Sequence, residues 1–125
     1  MHKSELAGFI IDCKTDDLDA AARFWAAALN LPLQPGAYQN EAGYRKLSDG
    51  PGGTHVEVQK VDHPSRVHLD IGAENVAAEV QRLEGLGAKV VDRIRDWVVM
   101  EAPTGHRFCV VPKKFENMPD QGGSP

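Results

Sequence analysis

Polar side chains capable of acid, base or ligand chemistry alternate with apolar ones in two short segments of the chain. His55, Glu57 and Gln59 occupy every second position of one segment, and His68 and Asp70 do so in another. Alternate residues of a β-strand point to the same face of a sheet. The spacing therefore predicts two polar stripes that offer imidazole and carboxylate groups for proton transfer near neutral pH.

Asp12 lies in a third apolar segment and adds a further carboxylate. If its face meets the two stripes, Asp12 would stand near His68 and Glu57 and complete an acid–base cluster. In the alternative interpretation, Asp12 and Asp70 cap turns or pair with an arginine such as Arg45 or Arg66, and His68 is a hydrogen-bonded interior histidine. We favour this alternative for the two aspartates, and both interpretations stay open for His68 and Glu57.

Aromatic residues and cysteines are the remaining candidates for chemistry. Trp97 and Tyr44 could line a pocket, whereas Phe24 and Phe108 are expected in the hydrophobic core. Cys109 follows an apolar neighbour in a predicted strand, which favours an inert buried thiol over a nucleophile.

The elements that position these residues follow from hydrophobic periodicity. Apolar residues at spacings of three and four predict a helix over residues 18–30, started by Asp16 or Asp17, and a second helix from Val76 to Gly85. Extended segments are predicted over residues 6–14, 31–38, 43–47, 54–61, 66–71, 89–94, 97–101 and 107–111. The order βαβββ thus occurs twice, which predicts an α+β domain of two modules, at about residues 6–61 and 66–112.

Length and composition limit the class of protein. The chain has 125 residues, which is enough for one domain with its own core. Its net charge of −4 argues against nucleic-acid and anionic membrane partners, and no apolar run reaches the roughly 20 residues of a membrane span. Two cysteines far apart favour free thiols in the cytoplasm. The first five residues and a loose tail over residues 113–125 should contribute little stability.

Four segments resemble the vicinal oxygen chelate superfamily, which includes glyoxalase I, extradiol dioxygenases, fosfomycin-resistance enzymes and bleomycin-binding proteins. These segments are DLDAAARFWAAALNL, RVHLDI, VQRLEGLGAKVV and EAPTGHRFCVV. The resemblance covers about residues 6–112 and is closest to small glyoxalase-like proteins. It implies that the two βαβββ modules form a curved eight-stranded sheet around a cleft that holds a small organic molecule.

The resemblance also implies where a metal site would lie. The four ligand positions of the superfamily fall on Ile10, Glu57, His68 and Cys109. Ile10 cannot bind a metal, and the soft thiol of Cys109 stands where a hard ion prefers an oxygen ligand. We therefore expect no metal, and a divalent ion (Zn, Ni, Mn or Fe) on Glu57, His68 and Cys109 is the alternative.

Together these features predict a cytoplasmic protein that binds a small organic molecule in its cleft. The alternatives are a metal-dependent lyase, isomerase or dioxygenase-type enzyme that uses Glu57 and His68, and a module whose role is to form a homodimer. In the enzyme, His68 and Glu57 would be the catalytic residues. The predicted ligand-binding set is His55, Glu57, His68, Asp70, Trp97 and Tyr44.

Overall fold

The computed structural model describes residues 2–35 and 43–115. This part of the chain folds into seven strands and two α-helices, so the predicted α+β class is confirmed. In chain order they are β1 (Ser4–Lys14), α1 (Leu18–Leu29), β2 (Tyr44–Lys46), β3 (His55–Val61), β4 (Arg66–Ala73), α2 (Val76–Gly85), β5 (Lys89–Ile94), β6 (Trp97–Glu101) and β7 (Arg107–Pro112). Neither helix is long and apolar enough to cross a bilayer.

The chain forms two compact units. The α1 unit comprises Ala7–His68, and the α2 unit comprises Met1–Leu6 together with Leu69–Pro125. The boundaries fall inside β1 and β4, so each of these strands contributes residues to both units.

In the α1 unit, β3 pairs in parallel with β1 and antiparallel with β2. Helix α1 begins where the Asp17 side chain accepts a hydrogen bond from the Ala20 amide at 3.0 Å, and it ends at Asn30 in the left-handed conformation. One face of the strands packs against α1 through a buried apolar cluster: Ile11, Cys13, Ala22, Leu47, Val56 and Val58.

The segment after α1 differs from the predicted strand over residues 31–38. Leu33 makes an isolated antiparallel bridge with Leu47. Pro32 and Pro35 flank it, and since proline has no backbone N–H, the ladder cannot extend in the usual way. The described residues therefore contain seven strands rather than the expected eight, and residues 36–38 of this prediction lie outside the described part.

The α2 unit repeats the pairing pattern of the α1 unit. Strand β4 pairs in parallel with β7, which pairs antiparallel with β6, and β5 extends the row on β6. Helix α2 covers one face through a second buried apolar cluster: Ala73, Val80, Leu83, Ala88, Val98, Met100 and Val110. In both cases the strand that precedes the helix thus pairs in parallel with the last strand that follows it, β1 with β3 and β4 with β7.

Both ends of the described chain are held in the α2 unit. His2 Nε2 lies 2.6 Å from Glu79 Oε1, and the Glu74 amide donates to the Lys3 carbonyl at 3.0 Å. The Lys113 amide donates to the Ala73 carbonyl at 2.9 Å. The expectation of a weakly held N-terminus therefore differs from the structure, because residues near the start of the chain supply partners to α2 and to the residue before its N-cap. Residues 116–125 of the predicted tail lie outside the described part.

Candidate functional site

The face of the α1 unit that points away from helix α1 is mostly polar, and we call it the polar face. Its residues alternate with those of the apolar cluster, and the strand registers bring them side by side. They are Gly8, Ile10, Asp12, Tyr44, Lys46, His55, Glu57 and Gln59. Three residues of the predicted ligand-binding set, Tyr44, His55 and Glu57, thus share this face, and all three are half-buried.

Gly8 allows the His55 side chain of β3 to lie close to the backbone of β1. Gly8 and His55 are register partners, and a Cβ atom at Gly8 would collide with the His55 ring and with the His55 carbonyl oxygen. Only glycine permits this approach without a shift of backbone. The position of the His55 ring therefore depends on Gly8.

Asp12 and His68 form a buried hydrogen-bonded pair in the α1 unit. Asp12 Oδ2 lies 2.7 Å from His68 Nδ1, and the side chains are 2% and 11% exposed. An ionised carboxylate can only accept, so the Nδ1–H of His68 donates and the neutral ring carries its lone pair on Nε2. This geometry contains elements of both interpretations. Asp12 lies beside His68 as in an acid–base cluster, while Asp12 also forms an ion pair with Arg66 and His68 is a hydrogen-bonded, largely buried histidine.

The second oxygen of Asp12, Oδ1, has different surroundings from Oδ2. Oδ1 is buried and makes no hydrogen bond within the described residues. Arg66 Nε lies 3.9 Å from Oδ2, which is too long for a hydrogen bond. Buried polar atoms are normally satisfied, so an exception calls for a partner such as a water molecule or a ligand.

The remaining predicted residues lie in the α2 unit. Asp70 and Cys109 are register partners on β4 and β7 and are buried, and Trp97 begins β6 half-buried. His68 precedes Asp70 by two positions on the same strand. Among the described residues, His68, Asp70 and Cys109 offer metal-compatible donor atoms within 4.8 Å of one another. Asp70 thus stands in this group where we expected Glu57.

The donor set of this group suits one metal better than others. Imidazole, carboxylate and thiolate ligands together fit zinc, which accepts nitrogen, oxygen and sulfur. They fit a hard ion such as Mn²⁺ poorly, since one of the three donors is a soft thiolate. Ile10, buried beside Glu57, adds no donor to the polar face.

Two of the aromatic predictions have different outcomes. Phe24 is 60% exposed, so its expected place in the core is wrong. It lies on the outward side of α1, in edge-to-face contact with Trp25 at 5.0 Å between ring centroids, while Trp25 packs on the apolar cluster. Phe108 packs against the buried cluster of the α2 unit, as predicted.

Sequence reasoning did not single out a second buried carboxylate, Glu79 of α2. Its oxygens accept from Arg82 Nε at 2.9 Å, from a terminal nitrogen of Arg82 at 2.7 Å and from His2. The hydrogen bonds from Arg82 are the main reason why the pKa of Glu79 is lowered to about 2. Glu79 immediately precedes Val80, a residue of the apolar stripe of α2, and this position was the sequence signal for its burial.

Both cysteines are free and buried. Burial raises the pKa of the Cys13 thiol above its ordinary value, with the Asp12 charge as a second cause. A thiol with a raised pKa is a weak nucleophile. Cys13 therefore belongs to the core of the α1 unit and not to the candidate site.

Comparison with known proteins places this geometry in a wider group. A family model described as a glyoxalase-like domain matches residues 8–111. A hypothetical protein, BH1468, from Bacillus halodurans C-125 has a TM-score of 0.64 at 14% identity, over 89% of this chain and 95% of that chain. Comparison with curated proteins finds no match.

Two further solved structures are epimerases. Methylmalonyl-CoA epimerase from Mycobacterium tuberculosis has a TM-score of 0.62 at 15% identity, covering 89% of each chain. The Streptomyces coelicolor epimerase, in complex with 2-nitronate-propionyl-CoA, has a TM-score of 0.59 at 18% identity, over 86% of this chain and 96% of that chain. At these identities the likeness shows a shared fold.

Proposed function

Because the chain belongs to the glyoxalase-like domain family of the vicinal oxygen chelate superfamily, we propose that it binds a small organic molecule on the polar face of the α1 unit. His68 would meet this molecule as a proton donor or acceptor. The observation that carries the proposal is the 2.7 Å hydrogen bond between His68 and the buried Asp12. A carboxylate behind an imidazole is a recurrent arrangement of acid–base sites.

Asp12 would perform two tasks. By accepting from Nδ1, it holds the ring in one orientation and places the lone pair of the neutral ring on Nε2. When Nε2 takes a proton from a bound molecule, the adjacent negative charge stabilises the imidazolium that forms. Glu57, Tyr44 and His55 would orient the molecule through further hydrogen bonds.

The same geometry serves binding with or without turnover. A ligand with a hydroxyl group would donate to His68 Nε2, and a ligand with an acidic C–H bond would lose its proton there. Proton exchange into the bound molecule in deuterated water, followed by NMR, separates these outcomes. If the wild type catalyses this exchange and His68→Gln does not, the protein is an enzyme. If the wild type binds the molecule without exchange, it is a binding protein.

The binding experiment is a thermal-shift and calorimetric screen, after native mass spectrometry for a co-purified ligand. Acyl-CoA thioesters belong in the screen because two structural neighbours are methylmalonyl-CoA epimerases. We expect His68→Gln and Asp12→Asn to weaken binding by about tenfold or more. His106→Gln, on an exposed residue of the α2 unit, is the matched control. Binding unchanged in both site variants would contradict the proposal.

Zinc-dependent chemistry is the second candidate, and the grouping of His68, Asp70 and Cys109 favours it. These residues would hold the ion, which would supply a Lewis acid for the ligand. Metal analysis of protein purified without an affinity tag, with zinc calorimetry on the wild type and on Cys109→Ser, tests it. Stoichiometric zinc binding whose affinity falls in Cys109→Ser supports this candidate. The absence of zinc binding to the wild type excludes it.

We also propose that the protein acts in the cytoplasm, and that it forms a homodimer. The two free, buried cysteines support a reducing compartment. Thiol titration under denaturing conditions should find both thiols, and a disulfide in fresh protein would contradict the proposed compartment. Light scattering measures the oligomeric state.

A further inference from the structure

Arg66 places a cation beside the Asp12–His68 pair, and we propose that it binds a carboxylate group of the ligand. This inference rests on the proposed function and narrows it, because it names the substrate class as small organic carboxylates. Arg66 would determine specificity, and His68 would carry the acid–base chemistry.

The position of Arg66 follows from strand β4. Arg66 and His68 are alternate residues of this strand and so point to the same face. Arg66 Nε lies 3.9 Å from Asp12 Oδ2, the same oxygen that lies 2.7 Å from His68 Nδ1. Cation, carboxylate and imidazole therefore lie next to one another within the α1 unit.

The guanidinium group of Arg66 is available to a ligand. Its side chain is 45% exposed, and its ion pair with Asp12 is longer than a hydrogen bond. No residue of the described part accepts a hydrogen bond from it. Arg45 and Arg82 differ, because Arg45 is bound to Asp19 and Arg82 to Glu79 through side-chain hydrogen bonds.

The chemistry of the site favours an anionic ligand group at this cation. A guanidinium fork matches the two oxygens of a carboxylate, and such charge-assisted bidentate contacts are the strong ones in proteins. The buried charge of Asp12 would repel an incoming carboxylate, and Arg66 offsets that repulsion. A neutral ligand needs no such compensation, so the loss of Arg66 should affect the two ligand classes differently.

The orphan oxygen of Asp12 is a second observation that points to a ligand. Asp12 is 2% exposed, and its Oδ1 has no hydrogen-bond partner in the described part. Oδ1 of Asp12 would gain a hydrogen-bond donor when a ligand, or a water molecule bound with it, occupies the site beside Arg66.

The test uses matched carboxylates and primary amides: lactate with lactamide, malonate with malonamide, and benzoate with benzamide. NMR titrations of the full chain would follow the Arg66 Nε–H signal and the His68 ring signals. We expect carboxylates to bind the wild type more tightly than their amides. Arg66→Gln should lower the affinity for the carboxylates by about tenfold and the affinity for the amides by less than about twofold. Arg66→Lys should keep part of the affinity, and Arg93→Gln is the control.

Each outcome decides one of the two proposals. Equal binding of carboxylates and amides, or carboxylate binding that Arg66→Gln leaves unchanged, overturns the inference on Arg66. If His68→Gln still weakens the amides in that case, the proposed function stands. If Arg66→Gln weakens carboxylates and His68→Gln changes nothing, Arg66 binds anions and the proposed function is wrong. If no compound of the set binds, the carboxylate class is wrong.

Discussion

The most deeply buried carboxylate of each unit has a different kind of surroundings. Glu79 of the α2 unit is fully buried, and both of its oxygens accept hydrogen bonds, from His2 and Arg82. Asp12 of the α1 unit is 2% exposed, and one of its oxygens has no partner among the described residues. The two side chains share a chemistry and a degree of burial, yet only one is satisfied.

The difference separates stabilising from functional burial. A buried charge whose lone pairs are all occupied can repay its desolvation, whereas an unsatisfied one costs free energy. Proteins retain such a cost mainly where function uses it. We therefore assign Glu79 to stability and Asp12 to the candidate site, and Glu79→Gln and Asp12→Asn test this assignment directly.

The largest expected effect is the acid sensitivity that Glu79 gives to the α2 unit. Its pKa in the folded chain is about 2, against 4.5 for an unperturbed glutamate. The stabilisation is therefore complete above about pH 4.5 and is lost as the pH falls toward 2, and it amounts to about 3 kcal/mol. Urea unfolding at several pH values should show that Glu79→Gln lowers stability at pH 7 and that the difference from wild type shrinks with acid.

Glu84→Gln is the control for this prediction, because Glu84 is an exposed residue of the same helix. It should change stability by less than about 0.5 kcal/mol. If the difference in unfolding free energy between Glu79→Gln and the wild type does not depend on pH, the assignment of the Glu79 charge to stability is wrong.

The second prediction concerns how tightly the polar face of the α1 unit is built. Gly8→Ala should lower the free energy of unfolding by about 2 kcal/mol, because the new methyl group collides with the ring and backbone of His55. Gly85→Ala in α2 is the matched control, since nothing lies within contact distance there, and it should be neutral or slightly stabilising. Thermal unfolding measures both, and equal effects would mean that β1 moves freely.

The third prediction is that Asp12 contributes little to stability. Asp12→Asn removes the buried charge, keeps a hydrogen-bond acceptor for His68 and puts an amide NH2 in place of Oδ1, so stability should change by less than about 1 kcal/mol. Urea unfolding beside Glu79→Gln makes the comparison direct. A loss as large as that of Glu79→Gln would show that both carboxylates serve the fold.

The smallest effect is expected in the β5–β6 hairpin, which carries neither buried carboxylate. Arg95 lies at the first position of its two-residue loop with a φ of 54°, a conformation that suits glycine. Arg95→Gly should therefore stabilise the chain by about 0.5 kcal/mol, and Arg93→Gly, inside β5, should destabilise it. Calorimetric unfolding decides, and a loss with Arg95→Gly would contradict the strain argument.

Much of the fold could be predicted from the sequence because its signals are local. Strands β5 and β6 and the start of α1 coincide with their predicted bounds, and alternation alone placed His55 and Glu57 on one face. The segment around Leu33 was predicted as a strand but forms only an isolated bridge, because apolar residues next to prolines look extended without being able to form a ladder. The partners of buried charges are a tertiary property, so alternation along the strands could not predict the hydrogen bond between Asp12 and His68.

The contribution of the first residues to the α2 unit has a consequence for dividing the protein into halves. A fragment that began at Arg66 would contain Glu79 without His2, and the Glu74 amide without the Lys3 carbonyl. This fragment would need residues 2–14 to be added as a synthetic peptide or to be co-expressed with it. A circular permutant that joins residues 2–6 to the C-terminal half is therefore the better starting point for split or shuffled versions of this chain.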